Sequence, residues 1–166
     1  MGGLITQNGF ELVYGGTTVG LMGKLAEAAK TGGAVVNGVV PFFIQEKGIA
    51  NLNCDNLFVT ANMRDRKAKL ETISDAFIAL PGGFGTLEEI IEVITLKQLK
   101  QHDKPIVFIN TNGYYNNLVS FFATIFHENF APGSHRDVFA VVGSAAEALE
   151  YIVNYQPTIR KDKWGG

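Results

Sequence analysis

Short runs rich in Val, Ile and Phe recur along this chain, at Phe10–Tyr14, Ala34–Val40, Asn56–Thr60, Ala76–Leu80, Pro105–Asn110 and Val138–Val142. Between most of them lie segments with apolar residues at helical spacing, among them Leu21–Ala29, Met63–Ile73, Leu87–Leu99, Tyr114–Phe126 and Ala145–Tyr155. Strands alternating with helices specify βαβ units and a parallel sheet covered on both faces. The strand runs are close to continuously apolar, as strands buried on both faces must be. The expectation is therefore an α/β fold of Rossmann-like, doubly wound, mostly parallel type. It forms a single domain over residues 1–157, followed by a tail at 158–166 that frays. Pro41–Asn53 reads as the one long irregular stretch, a length that in compact domains often has a functional reason.

Composition narrows the function. Hydrophobic residues make up 46% of the 166 and charged residues 18%, enough apolar material for a core and too little charge for a disordered chain. A net charge of −2 argues against a protein that coats nucleic acid. No apolar run is long enough to span a bilayer, and the N-terminus lacks a signal-peptide pattern. The single cysteine, Cys54, excludes a disulfide framework and suits a reducing, cytoplasmic setting. His102, His127 and His135 lie far apart with no ligand spacing, so no metal and no cofactor is expected. The serines lack the context of a nucleophile elbow. Tyr114, Tyr115, Phe121, Phe122 and Phe126 have helical spacing and read as core or as a dimer face.

Glycine is the outlier, at 19 residues, roughly 11% against a typical ~7%. Much of the excess gathers at strand ends, where ligands bind in open parallel sheets. Tyr14-Gly15-Gly16-Thr17-Thr18-Val19-Gly20-Leu21-Met22-Gly23 is one such end. Leu80-Pro81-Gly82-Gly83-Phe84-Gly85-Thr86-Leu87-Glu88-Glu89 is another. A glycine-rich turn feeding a helix start aims several backbone N–H groups at one spot, which suits a phosphate. The ordinary alternative is a tight strand-to-helix turn. Thr86 and Glu89 also read as a capping box, with Thr86 as N-cap. Against that reading, Glu88, Glu89 and Glu92 crowd carboxylates along the first turns of one helix, and Glu89 and Glu92 share a face. A third strand end, Met63-Arg64-Asp65-Arg66-Lys67, sets cations at a helix start, where they oppose the helix dipole and point to an anionic partner. Arg66 stays charged and can only position, neutralise or polarise.

With these segments in view, the sequence resembles the LONELY GUY family of cytokinin-activating 5′-monophosphate phosphoribohydrolases, long labelled lysine decarboxylases. Pro81-Gly82-Gly83-Phe84-Gly85-Thr86-Leu87-Glu88-Glu89 fits the family's Pro-Gly-Gly-x-Gly-Thr-x-x-Glu, and Met63-Arg64-Asp65-Arg66-Lys67 fits its Met-x-x-Arg-Lys. Weaker echoes lie at Val13–Gly16, Gly20–Gly23, His102–Pro105, Gly113–Tyr115 and Tyr155–Pro157. The resemblance implies hydrolysis of the N-glycosidic bond of an adenine-type nucleoside 5′-monophosphate, a Rossmann-like fold and a homodimer. Arg66 and Glu89 stand at the positions of the catalytic pair. Gly15, Gly16, Met63, Lys67, Gly82, Gly83, Phe84, Gly85, Thr86, Leu87, Glu88 and Glu92 are expected to bind substrate. The bottom-up chemistry accommodates this, since a carboxylate can orient water and stabilise oxocarbenium character while a ribosyl–base bond breaks. Nothing marks the pyridoxal-binding lysine that a decarboxylase requires.

Family members usually begin with a strand and helix. This chain opens at Met1–Gly9, which reads as the last turns of that helix, so the family's first strand is expected to be absent. A substrate-binding Glu of the family falls at Gly48, with Glu46 two residues away. The competing expectation is a nucleotide- or cofactor-binding module without chemistry, like the molybdenum-cofactor carriers that share the glycine-rich turn. A third is a weak subunit rescued by oligomerisation.

Overall fold

The structure is a computed structural model that describes residues 1–157; the expected tail at 158–166 lies outside them. The chain divides into two compact units, Met1–Ser74 and Asp75 onward. In the first unit the order is α1 (Gly2–Gln7), β1 (Leu12–Tyr14), α2 (Gly20–Thr31), β2 (Val36–Pro41), α3 (Phe42–Glu46), β3 (Asn56–Thr60) and α4 (Met63–Ile73). In the second it is β4 (Phe77–Ala79), α5 (Phe84–Gln98), β5 (Ile106–Ile109), α6 (Asn116–His127), β6 (Ala140–Val142) and α7 (Ala145–Val153). Single 3₁₀ turns at Thr111–Gly113 and Gly133–His135 precede α6 and β6.

Each unit carries a three-stranded sheet, in the orders β1-β2-β3 and β4-β5-β6, and every pairing is parallel. Leu12 faces Val36 and Val39 faces Phe58 in the first sheet; Phe77 faces Ile106 and Phe108 faces Val141 in the second. The expected parallel α/β architecture with flanking helices is thus what the chain forms. The middle strand of each sheet is buried along its whole length. Ile106–Ile109 reads as an unbroken apolar run, while Val36–Pro41 buries one polar side chain, Asn37, which donates to Glu11 (2.9 Å) and accepts from Asn56 (2.8 Å).

Two cores follow. In the first unit Ile5, Leu12, Tyr14, Ala26, Ala29 and Val36 pack together. In the second, Phe108 lies at the centre, edge-on to Tyr115, Phe122 and Phe139 at 5.2, 6.1 and 5.4 Å. Within Met1–Gly9, Gly2–Gln7 forms a helix, as expected, and Gly2 lets α1 approach α2. A Cβ on Gly2 would come within 2.6 Å of Ala28 Cβ. The stretch Pro41–Asn53 is less irregular than its composition suggests, because Phe42–Glu46 forms α3. Its second half is stitched to the first glycine-rich strand end: Thr18 N–H donates to Ile49 O (3.1 Å), and Asn51 N–H to Gly16 O (2.8 Å). Among the described residues, no helix is long and apolar enough to cross a membrane.

Candidate active site

In the first unit Arg66 and Gly15 meet at the end of β1. Arg66 is 7% exposed, on the first turn of α4. That turn is fixed by Asn62, whose Oδ1 accepts from Asp65 N–H at 2.9 Å while its Nδ2 donates to the Asp65 carboxylate at 2.9 Å. Arg66 Nε donates to Val39 O of β2 at 3.1 Å. A guanidinium is buried at tolerable cost only when its N–H groups are matched, and this bond also fixes its direction. It passes directly over Gly15: a Cβ there would lie 2.5 Å from Arg66 Nη2 and 2.9 Å from Met22 Sδ. Gly15 is therefore glycine because an arginine occupies its side-chain space.

Gly16 answers a different demand. Its φ is +69°, the left-handed region, and a Cβ would meet Val40 Cγ1 at 2.6 Å. Of the remaining residues expected here, Lys67 is half-buried, and Met63 and Arg64 are exposed. Gly48, where the resemblance leads one to expect a glutamate, has φ +69°. A side chain would be strained in that conformation, and glycine is at ease in it. Glu46, at the end of α3, is exposed.

In the second unit the sequence expectation requires one correction. Helix α5 begins at Phe84, and its N-cap is Gly83, not Thr86. The capping box therefore does not form; Thr86 is the third helical residue, and Glu89 lies in the second turn. Glycine cannot cap with a side chain, and no side-chain hydrogen bond caps this helix. Thr86 folds back onto Gly82, where a Cβ would collide with its side chain. Gly83 and Gly85 are different again. Neither has positive φ, and a Cβ on either would meet nothing within 4 Å. Their missing side chains leave open space beside the helix start, where the amides of Phe84, Gly85 and Thr86 and the positive dipole end can receive an anion.

Along α5, Ile90, Val93, Ile94 and Lys97 face inward. Gly85, Glu89 and Glu92 recur at i, i+4 and i+7, a flank of the helix that runs on from the open space. Glu89 and Glu92 are half-buried, Thr86 and Leu87 likewise, whereas Glu88 and Phe84 are exposed, Phe84 at 92%. A half-buried carboxylate in the second turn of a helix is placed to accept a proton from a nearby water.

The sequence reading missed what holds this turn. Tyr115 Oη donates to Leu80 O at 2.5 Å and Tyr114 Oη donates to Gly82 O at 2.7 Å. Tyr115 is core, as expected, and so is Phe122, while Tyr114 and Phe121 are more than half exposed. The signal available in the sequence was the hydroxyls: a purely apolar core position would have no use for them. Burial, with Tyr114 as neighbour, raises the Tyr115 hydroxyl above the ordinary tyrosine value, so it remains a donor. His102 is used structurally, with Nε2 2.9 Å from Val93 O and Nδ1 accepting from Lys104 N–H at 3.2 Å.

Comparison with known proteins agrees with the motifs. Residues 22–152 match the family described as “Possible lysine decarboxylase”. Over 160 residues the chain is 43% identical to a “Probable cytokinin riboside 5′-monophosphate phosphoribohydrolase” of Oryza sativa subsp. japonica, covering 96% of this chain and 63% of that protein. Over 158 residues it is 42% identical to a cytokinin riboside 5′-monophosphate phosphoribohydrolase of Arabidopsis thaliana, covering 95% and 74%. Among solved structures, the molybdenum cofactor carrier protein of Chlamydomonas reinhardtii shares the fold at TM-score 0.65 and 22% identity, over 93% of this chain and 84% of that one. The molybdenum cofactor binding protein of Rippkaea orientalis does so at TM-score 0.66 and 22% identity, over 92% and 80%.

Proposed function

The chain belongs to the LONELY GUY family, the cytokinin riboside 5′-monophosphate phosphoribohydrolases grouped under the older lysine-decarboxylase description, and from that premise we propose that it hydrolyses the N-glycosidic bond of adenine-type nucleoside 5′-monophosphates. The products are the free base and ribose 5-phosphate. The observation that carries the reading is the uncapped start of α5, where Gly83 and Gly85 leave room for an anion. In this reading the amides there take the 5′-phosphate, and Gly15, Gly16 and Lys67 belong to the binding set that the family motifs imply. Glu89 orients a water and accepts its proton as the oxygen bonds to C1′ of the ribose; the C1′–N bond breaks and the base leaves with a proton from solvent. Arg66, always charged, neutralises and orients the substrate but transfers no proton. Met63, Phe84, Thr86, Leu87, Glu88 and Glu92 complete the binding set. The working form is a cytoplasmic homodimer, which sedimentation and cell fractionation check.

Incubation with AMP and with isopentenyl-AMP tests the reaction, by release of base and of ribose 5-phosphate. Glu89→Ala is expected to lower kcat by at least ~100-fold, the scale of lost general acid–base catalysis. Base release undiminished in that variant would remove Glu89 from the chemistry. The shared fold of the cofactor carriers favours a second reading, a binding module. Tight nucleotide binding with no turnover on either substrate is the outcome that would select it.

A further inference from the structure

The glycine-rich turn leaves β4 through Leu80, Pro81 and Gly82 before α5 begins, and two of its carbonyls are gripped by side chains from beyond the next strand. Tyr115 Oη holds Leu80 O at 2.5 Å and Tyr114 Oη holds Gly82 O at 2.7 Å, on either side of Pro81. The gripping residues are themselves fixed. Asn110, at the end of β5, accepts from Tyr115 N–H through Oδ1 (2.7 Å) and donates through Nδ2 to Asn116 Oδ1 (2.8 Å). Gly113, at φ +74°, turns the chain between them and donates its N–H to Asn110 O (3.1 Å). The Tyr115 ring is 2% exposed and stands edge-on to Phe108 at 5.2 Å and to Tyr114 at 5.0 Å. Phenylalanine would fill that ring space equally well. The hydroxyls are what the two side chains add, and both are spent on the turn.

We propose that Tyr114 and Tyr115 are positioning residues for substrate phosphate, tying the Leu80–Gly82 backbone from behind so that the amides of Phe84, Gly85 and Thr86 stay aimed at one point. The proposal rests on the reading above, that the start of α5 receives the 5′-phosphate. Preorganised amides bind an anion without the cost of ordering a mobile loop. Losing either tie releases a carbonyl of the turn and lets it drift, which weakens phosphate binding more than it slows the chemistry.

The test uses Tyr114→Phe, Tyr115→Phe and the double variant, each with three readouts: amide hydrogen exchange over residues 82–86, calorimetric binding of ribose 5-phosphate, and KM and kcat on AMP. Leu149→Ala, on α7, controls for general loss of stability. Each hydroxyl removed is expected to weaken ribose 5-phosphate binding about fivefold, the scale of one hydrogen bond. Exchange in the turn should rise, and KM should increase while kcat changes less. The Leu149→Ala control should lower Tm without moving ribose 5-phosphate affinity. Unchanged exchange and affinity in the double variant would overturn the proposal, and so would faster exchange with unchanged affinity, because the ties would then be structural alone. Failure of ribose 5-phosphate to bind the unaltered chain is a separate result: it would overturn the phosphate reading of the site in the wild type, before any tyrosine is changed.

Discussion

Gly15 gives its side-chain space to an arginine, and the same glycine-to-alanine change has the opposite consequence at Gly3. At Gly15 a Cβ would fall 2.5 Å from Arg66 Nη2, so Arg66 must swing and loosen its bond to Val39 O. Gly15→Ala is expected to cost ~1–3 kcal/mol of stability through overpacking, and to lower kcat/KM on AMP by ~10-fold or more through misplacement of the guanidinium. At Gly3, inside α1, a Cβ meets nothing within 4 Å. Gly3→Ala is expected to add about 0.5 kcal/mol through helix propensity and to leave activity alone. Urea titrations and steady-state rates on the pair check both signs; equal activity losses would show that the effect is not transmitted through Arg66.

At the scale of elements, α5 carries the conflict between stability and binding. Gly83 is a weak cap, in an extended conformation that any residue adopts, with open space where its side chain would be. Gly83→Asp would supply a capping oxygen and a favourable charge at the dipole's positive end, worth a few tenths of a kcal/mol. It would also set a carboxylate where the phosphate is proposed to bind. The expected result is a Tm unchanged or slightly raised, with KM for AMP raised ~10-fold or more; an unchanged KM would move the phosphate elsewhere. The same helix shows why the sequence was legible in one respect and not in another. Its inward positions Ile90, Val93, Ile94 and Lys97 follow helical spacing, and Met63–Ile73 forms α4 with the expected bounds. The start of α5 read three residues late, because Phe84-Gly85-Thr86 is a poor helix former by propensity, and a glycine in a first turn looks the same as a glycine in a loop. α3 was hidden for a similar reason: Phe42–Glu46 is too short for periodicity to register. Arg66 and the glycines were readable as anion chemistry from residue type alone. That Tyr114 and Tyr115 grip Leu80 and Gly82 was not, because a hydrogen bond spanning more than thirty residues leaves no local pattern.

For the molecule as a whole, each unit has a carboxylate that ties down backbone and is held below its ordinary value. Asp55 is lowered by its bond to Lys30 on α2 and then by Val36 N–H, 2.8 Å from its Oδ2. Glu147 is lowered by Gly143 N–H, at 3.0 Å, and then by Ser144. A carboxyl more acidic folded than unfolded contributes stability that is complete above its unfolded value, near pH ~4, and disappears as pH falls through the folded one. Asp55→Asn and Glu147→Gln are therefore expected to flatten the acid side of the Tm-against-pH curve below pH ~4 and to leave its slope near neutrality unchanged; a profile parallel to wild type would remove these groups from acid unfolding. One further corner of the second unit has a use as well as a role. Lys97 is buried on α5, its Nζ donating to Lys104 O and to the Tyr155 hydroxyl, both at 2.7 Å, under the Tyr155 ring. An acylating reagent would reach that nitrogen only when Tyr155 and the Asp103–Lys104 segment move away from it. Acylation of Lys97 in the folded protein would thus accumulate as a covalent mark of any opening at this corner.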